Sequence, residues 1–284
     1  MVALISINPS FCNCPGLYRA LSRKYFVKAY FRHSDLKGMY KLLPAEYNML
    51  ALNHGAKHYF IIGSKAFLTV RSYKPGILPL QGNAKVTVIL STSYFIKNRV
   101  ILNNLLRNYR IMCMPDKSSY WKGEYEEFYP PFESDIEQEK SVMIAHSPYE
   151  RKKEIYKGTN IIRKACEGYE LDVIEGLSYR ECLKRKAKAH IFIDQVKGEG
   201  SKGGLGKSGI EAMGLGCLTM TEIEQPRDYN PPVINVNKDN LREKVEYYIN
   251  NPEERKIMAE KQRKWVQDNL NYKTIGEKLY KHIV

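Results

Sequence analysis

From Val142 to Thr221 the chain alternates, without a break, between short β-rich runs and segments of helical length, and this alternation constrains its fold more than any other feature. Strands are expected at Val142–Ala145, Glu170–Ile174, His190–Asp194 and Cys217–Thr221, and helices at Gly158–Cys166, Tyr179–Lys186 and Ser208–Met213. Strands separated by helices of this length pair in parallel, and the helices cover both faces of the sheet. The first half repeats the pattern with β-rich runs at Val2–Ile7, Tyr25–Tyr30, Tyr59–Ile62, Ala66–Val70, Val86–Leu90 and Ile111–Met114. Helical patterns run there from Gly16 to Lys24 and around Val100, Leu102, Leu105 and Leu106. Between the halves, Asp116–Lys140 is acidic, carries Pro130-Pro131 and lacks periodicity, so it is expected to end one domain and lead into the next.

The expectation is therefore an α/β protein of two domains facing across a cleft: residues 1–140, residues 141–270, and a last helix, 271–284, returning to the first domain. Asn251-Pro252-Glu253-Glu254 predicts a capped helix running toward Leu270, and a final helix from Thr274 places Ile275, Leu279 and Ile283 on one face. With 284 residues, 43% of them hydrophobic, the chain can bury a large core. No apolar run reaches the roughly 18 residues of a spanning helix, and MVALISINPS lacks the features of a secretory signal. The mature chain is accordingly expected to begin at Met1. The six cysteines form no CxxC pair and have no histidine at zinc spacing, which predicts a reducing, cytoplasmic setting without a structural metal.

Charge is unevenly distributed. Residues 1–115 hold sixteen Lys/Arg and two acids, Asp35 and Glu46, whereas residues 141–284 hold twenty-six bases against twenty-one acids. Bases interleave with aromatics between Tyr18 and Arg32. Either this is the solvated surface of a generally basic chain, or the first domain meets a polyanion.

The segment from Gly198 to Gly216 lies between a strand and a helix and is rich in glycine, a composition that lets backbone amides approach a phosphate at a helix N-terminus. Gly198, Gly200 and Gly203 match a GxGxxG dinucleotide fingerprint, but no acid stands at the right distance on a second strand. Gly206-Lys207-Ser208 looks like the end of a P-loop, yet Ser201 occupies that motif's first glycine position. A ligand-free flexible loop would explain the glycines but not Glu211 in the apolar helix that follows.

Taken together, Gly204-Leu205-Gly206, Glu211-Ala212-Met213 and Gly214-Leu215-Gly216-Cys217-Leu218-Thr219 resemble the donor-site signature of retaining GT-B glycosyltransferases, the family of glycogen and sucrose synthases. Upstream, Ala145-His146-Ser147-Pro148, the cluster Arg151-Lys152-Lys153 and Lys157-Gly158-Thr159 are similar to that family's strand, basic pair and helix start. The resemblance covers about 140 residues, all in the second half. It departs from the family at Gly203, where the first glutamate of the signature would stand, with Glu199 available to compensate from the loop. It departs also in basic spacing, so that Arg151 or Lys152 takes the arginine role.

The resemblance implies two Rossmann-like domains of GT-B type, a nucleotide-sugar co-substrate and transfer with retention. It implies Lys157 with Arg151 or Lys152 as the phosphate clamp and Glu211 on the ribose hydroxyls. Gly203, Gly204, Leu205, Gly206, Ser208, Ser147 and Glu199 would line the donor site. Basic side chains and helix amides can stabilise a departing diphosphate without a metal, so neither a metal nor another cofactor is expected. Ligands of such sheets sit at the carboxyl ends of strands, which places Asn13, Gly16, Ser91 and Thr92 on the acceptor side. For a basic acceptor domain, a hydroxymethylated base in DNA is favoured over a lipid or glycan at an anionic membrane. An inactive sugar-nucleotide or nucleic-acid binding module is the third class, and the oligomeric state is open.

Overall fold

The computed structural model describes residues 2–6, 14–31, 58–62, 85–90, 110–113, 126–148, 157–196, 204–223 and 229–283. The chain divides into two compact units, one of Met1–Pro131 with Tyr272–Val284 and one of Phe132–Asn271. In the first unit, β1 (Val2–Ser6), β2 (Val27–Phe31), β3 (His58–Ile62), β4 (Lys85–Leu90), β5 (Arg110–Cys113) and β6 (Glu126–Glu127) form a parallel sheet. Their order is β2-β1-β3-β4-β5-β6. Helix α1 (Cys14–Ser22) follows β1 and buries Leu17, Ala20 and Leu21. The expected strand at Ala66–Val70 and the helix around Val100 lie outside the described residues.

The second unit follows the expected alternation through β7 (Val142–His146), α2 (Thr159–Ala165), β8 (Leu171–Val173), α3 (Tyr179–Ala187), β9 (Ala189–Ile193), α4 (Lys207–Gly214) and β10 (Leu218–Thr221). It then adds β11 (Ile234–Asn235), α5 (Leu241–Asn250) and α6 (Pro252–Asn269). The sheet order is β11-β10-β9-β7-β8, and every pairing is parallel. Ile144, Ile191, Ile193 and Leu218 come from this sheet, Ile162 from α2 and Leu241 and Val245 from α5, and together they build the core. Ser178 and Glu181 cap α3 reciprocally, which fixes where that helix begins. Gln262 of α6 is fully buried and brackets β10, accepting from the Thr219 amide (2.6 Å) and donating to its carbonyl (3.0 Å).

Helix α7 (Tyr272–Tyr280) belongs to the first unit. It packs on α1, where the Tyr280 hydroxyl donates to the Ala20 carbonyl (2.7 Å). Gly276 permits this approach, since a Cβ there would lie 2.8 Å from the same oxygen.

Three local expectations change. The acidic stretch leading to 140 is not all linker, because Glu126–Glu127 pair with β5 and Phe128 and Tyr129 are buried. The units divide at Pro131/Phe132 rather than near 140: the Phe132 amide donates to the Leu270 carbonyl (2.8 Å) and Lys140 Nζ to the Leu215 carbonyl (3.1 Å), both within the second unit. Asn251 does not cap α6 with its side chain. It also closes α5, and its side-chain Nδ2 donates back to the Tyr247 carbonyl (2.7 Å).

Candidate functional site

In the second sheet the chain leaves β7 for β8 on one side and then returns to place β9 on the other. The order reverses between β7 and β9, and open α/β sheets bind ligands at the carboxyl ends of strands beside such a switch point. His146 ends β7 and Asp194 follows β9 directly. Lys157 and Gly158 lead into α2, and Gly206 leads into α4.

Gly158 turns the chain into α2 with φ of +67°, the left-handed region that favours glycine. A Cβ there would overlap the carbonyl oxygen of Val196, whose amide donates to the Lys157 carbonyl (3.1 Å). Beneath this turn the fully buried His146 bridges β9 and α2, with Nδ1 2.8 Å from the Ile193 carbonyl and Nε2 3.0 Å from Thr159 Oγ1. A carbonyl can only accept, so Nδ1 carries the proton and Nε2 accepts from the threonine hydroxyl. Burial lowers the His146 pKa from 6.5 to about 4; the Ile193 carbonyl opposes the shift and the charge of Lys157 adds to it.

The unfolded chain therefore binds a proton at this position between pH 6.5 and 4 that the folded chain does not. The stability involved is complete above the unfolded pKa and is lost as pH falls toward the folded one. Urea denaturation should show the second unit losing about 2 kcal/mol between about pH 7 and 5 through this group, and His146→Gln should remove that part of the slope.

Above His146, the fully buried Asp194 joins two loops. Its Oδ1 accepts from Lys157 Nζ (2.5 Å) and its Oδ2 from the Gly206 amide (2.7 Å). Burial alone would raise this carboxyl, but Lys157, the Gly206 amide and Lys186 together outweigh it and hold the pKa below the ordinary value. A Cβ on Gly206 or on Gly209 would lie 3.0 Å from Oδ2. Both glycines thus leave room for the carboxylate. Gln195 and Thr221 Oγ1 donate to the Gly204 carbonyl, fixing the loop that enters α4. No side chain caps α4, and the buried Ser208 Oγ in its first turn has no hydrogen-bond partner among the described residues.

On the inner side of α4, Glu211 is nearly fully buried. Its Oε2 accepts from Lys186 Nζ (2.6 Å) and its Oε1 from the Tyr179 hydroxyl (2.9 Å), with Lys207 Nζ 3.5 Å from Oε1. Desolvation again works against the charge, and Lys186, Lys207 and Tyr179 overcome it, so Glu211 stays ionised below the usual carboxylate range. Lys186 is raised by the reverse balance, its burial outweighed chiefly by Glu211.

Of the residues singled out in the sequence, Lys157, Gly206, Ser208 and Glu211 come together here, on or beside the start of α4. Two roles change. The Gly206 amide is directed at Asp194, and the Leu205 side chain is buried in the core. Ser147, half-buried, follows β7, and Gly16 is buried in α1. Asn13, Ser91, Thr92, Arg151, Lys152, Glu199 and Gly203 lie outside the described residues. Sequence reasoning assigned no role to Asp194, His146, Lys186 or Tyr179. The signal for the first two was a polar residue at the end of an apolar strand, and for Lys186 a lysine one turn after Leu183 on the buried face of α3. No group of three His, Cys, Asp or Glu able to hold a metal occurs among the described residues, and no helix among them is long and apolar enough to cross a membrane.

Two parallel α/β units of this topology define the GT-B fold. The structure of Anabaena Alr3699/HepE in complex with UDP-glucose is similar to this chain over 99% of this chain and 98% of its own, with a TM-score of 0.72 and 9% identity. AviGT4, a glycosyltransferase involved in avilamycin A biosynthesis, is similar over 99% of this chain and 96% of its own (TM-score 0.60, 11% identity). TarM is similar over 80% of this chain (TM-score 0.54, 12% identity), and the chain spans about half, 54%, of TarM's length. No protein-family model and no curated protein matches the sequence.

Proposed function

We propose that the chain is a glycosyltransferase that moves a sugar from a nucleotide-sugar donor to an acceptor hydroxyl. The observation that carries this reading is the convergence of Lys157, Asp194 and the start of α4 at the switch point of the second sheet. The fold supports it, being similar over nearly its whole length to that of a protein solved with UDP-glucose. In the reaction the bond between the anomeric carbon and the phosphate oxygen breaks, and charge grows on the departing diphosphate. Lys157 Nζ and the dipole of α4 stabilise that charge, with Arg151 or Lys152 as the second base of the clamp. The departing phosphate takes the acceptor's proton as the new bond forms on the same face of the sugar, so configuration is retained and no divalent metal is needed. Ribose hydroxyls reach Glu211 Oε1 by replacing Tyr179 and Lys207, the more exposed of its partners.

The acceptor docks on the first unit and is polyanionic, with a hydroxymethylated base in DNA ahead of a lipid at an anionic membrane. Sixteen bases against two acids in residues 1–115 support this choice. The test measures nucleotide release from UDP-glucose and other nucleotide sugars with hydroxymethylated duplex or with anionic vesicles. Duplex affinity is expected to fall by tens-fold between about 50 and 200 mM salt, through counterion release. Transfer with vesicles and none with duplex would make the acceptor a lipid. Absence of binding and of turnover with every nucleotide sugar would overturn the glycosyltransferase reading.

A further inference from the structure

We infer that Asp194 is the positioning residue of the phosphate clamp: one buried carboxylate fixes both the lysine that meets the diphosphate and the start of the helix directed at it. The inference rests on the nucleotide-sugar reading. Asp194 touches two segments that follow different strands, one on each oxygen, at 2.5 Å to Lys157 Nζ and 2.7 Å to the Gly206 amide. The surroundings are shaped to it, since a Cβ on Gly206 or Gly209 would come to 3.0 Å of Oδ2. These glycines, whose sequence pattern suggests phosphate contact, serve the carboxylate. The ammonium stands on its outer side, because the Lys157 side chain is 15% exposed and that of Asp194 is 0%. An incoming phosphate therefore meets the lysine first. An ammonium has three donors, and spending one on Asp194 leaves two for phosphate oxygens. A lysine held in this way has already lost the rotamer freedom that binding would otherwise take from it.

The test uses the full chain, with UDP binding followed by calorimetry and uridine binding by NMR titration. Asp194→Asn keeps one acceptor oxygen but sets an NH2 against a second donor, so it must release either Lys157 or Gly206. Its UDP affinity is expected to fall at least tenfold while its uridine affinity stays within twofold of wild type. In the wild-type chain the Asp194 carboxyl carbon resonance is expected to move on addition of UDP and not of uridine. Should Asp194→Asn fail to fold by circular dichroism, Gly206→Ala displaces the carboxylate without removing it and is expected to weaken UDP threefold or more, again with uridine unchanged. Unchanged or tighter UDP binding by the folded variant would overturn the inference. Equal losses for UDP and uridine would also overturn it, since the role would then be structural alone. A wild-type chain that binds none of UDP, ADP and GDP would sink the nucleotide-sugar reading, and the inference with it.

Discussion

Lys186→Met is expected to destabilise the second unit by about 3 kcal/mol or more, because removing one partner of a buried ion pair leaves the other desolvated and undercompensated. The side chains of Lys186 and Glu211 are 2% and 5% exposed and meet at 2.6 Å. Tyr179 and Lys207 stay on the other carboxylate oxygen and soften the loss without removing it. The double variant Lys186→Met/Glu211→Leu is expected to regain much of the stability, since an apolar pair needs no solvation. Urea denaturation read by Trp265 fluorescence, in a Trp121→Phe background, isolates this unit. A single variant within about 1 kcal/mol of its parent would show that the pair is not buried as described.

Gly158→Ala is the second large effect, and it acts through the backbone. An L residue at φ of +67° costs about 1–2 kcal/mol, and here its Cβ would also overlap the Val196 carbonyl oxygen, so strand end and helix start must move apart. The expected loss is about 3 kcal/mol or more in the same denaturation assay, accompanied by weaker nucleotide binding because Lys157 precedes the turn. Unchanged stability would place the turn elsewhere.

Much of the second unit was legible because its strands are apolar runs bounded by helices of ordinary length, and β7, α3 and α4 lie within a residue or two of where periodicity puts them. Strands β6 and β11 were not legible. Two residues cannot display a period, and both are edge strands held by a neighbour rather than by their own pattern. Helix α5 was missed as well, although Leu241, Val245 and Tyr248 recur at helical spacing on its buried face. Lys157 and Glu211 could be picked out by resemblance and Ser208 by its place after the glycines, but their partners could not. Asp194 is nearly forty residues from Lys157 in sequence, and Lys186 is on a different helix from Glu211. Such pairs exist only once the sheet has brought the strand ends together. The glycines show the limit most clearly, because the same residue type serves to approach a phosphate or to make room for a carboxylate, and only the fold decides which.

The most direct test of the central claim is calorimetric titration of UDP-glucose into the full chain in the presence of EDTA, repeated with Lys157→Ala. The account predicts saturable binding at one site that survives EDTA and weakens by about 2 kcal/mol, roughly thirtyfold, when the charge-assisted contact from Lys157 is lost. Binding of equal strength in both proteins would contradict it.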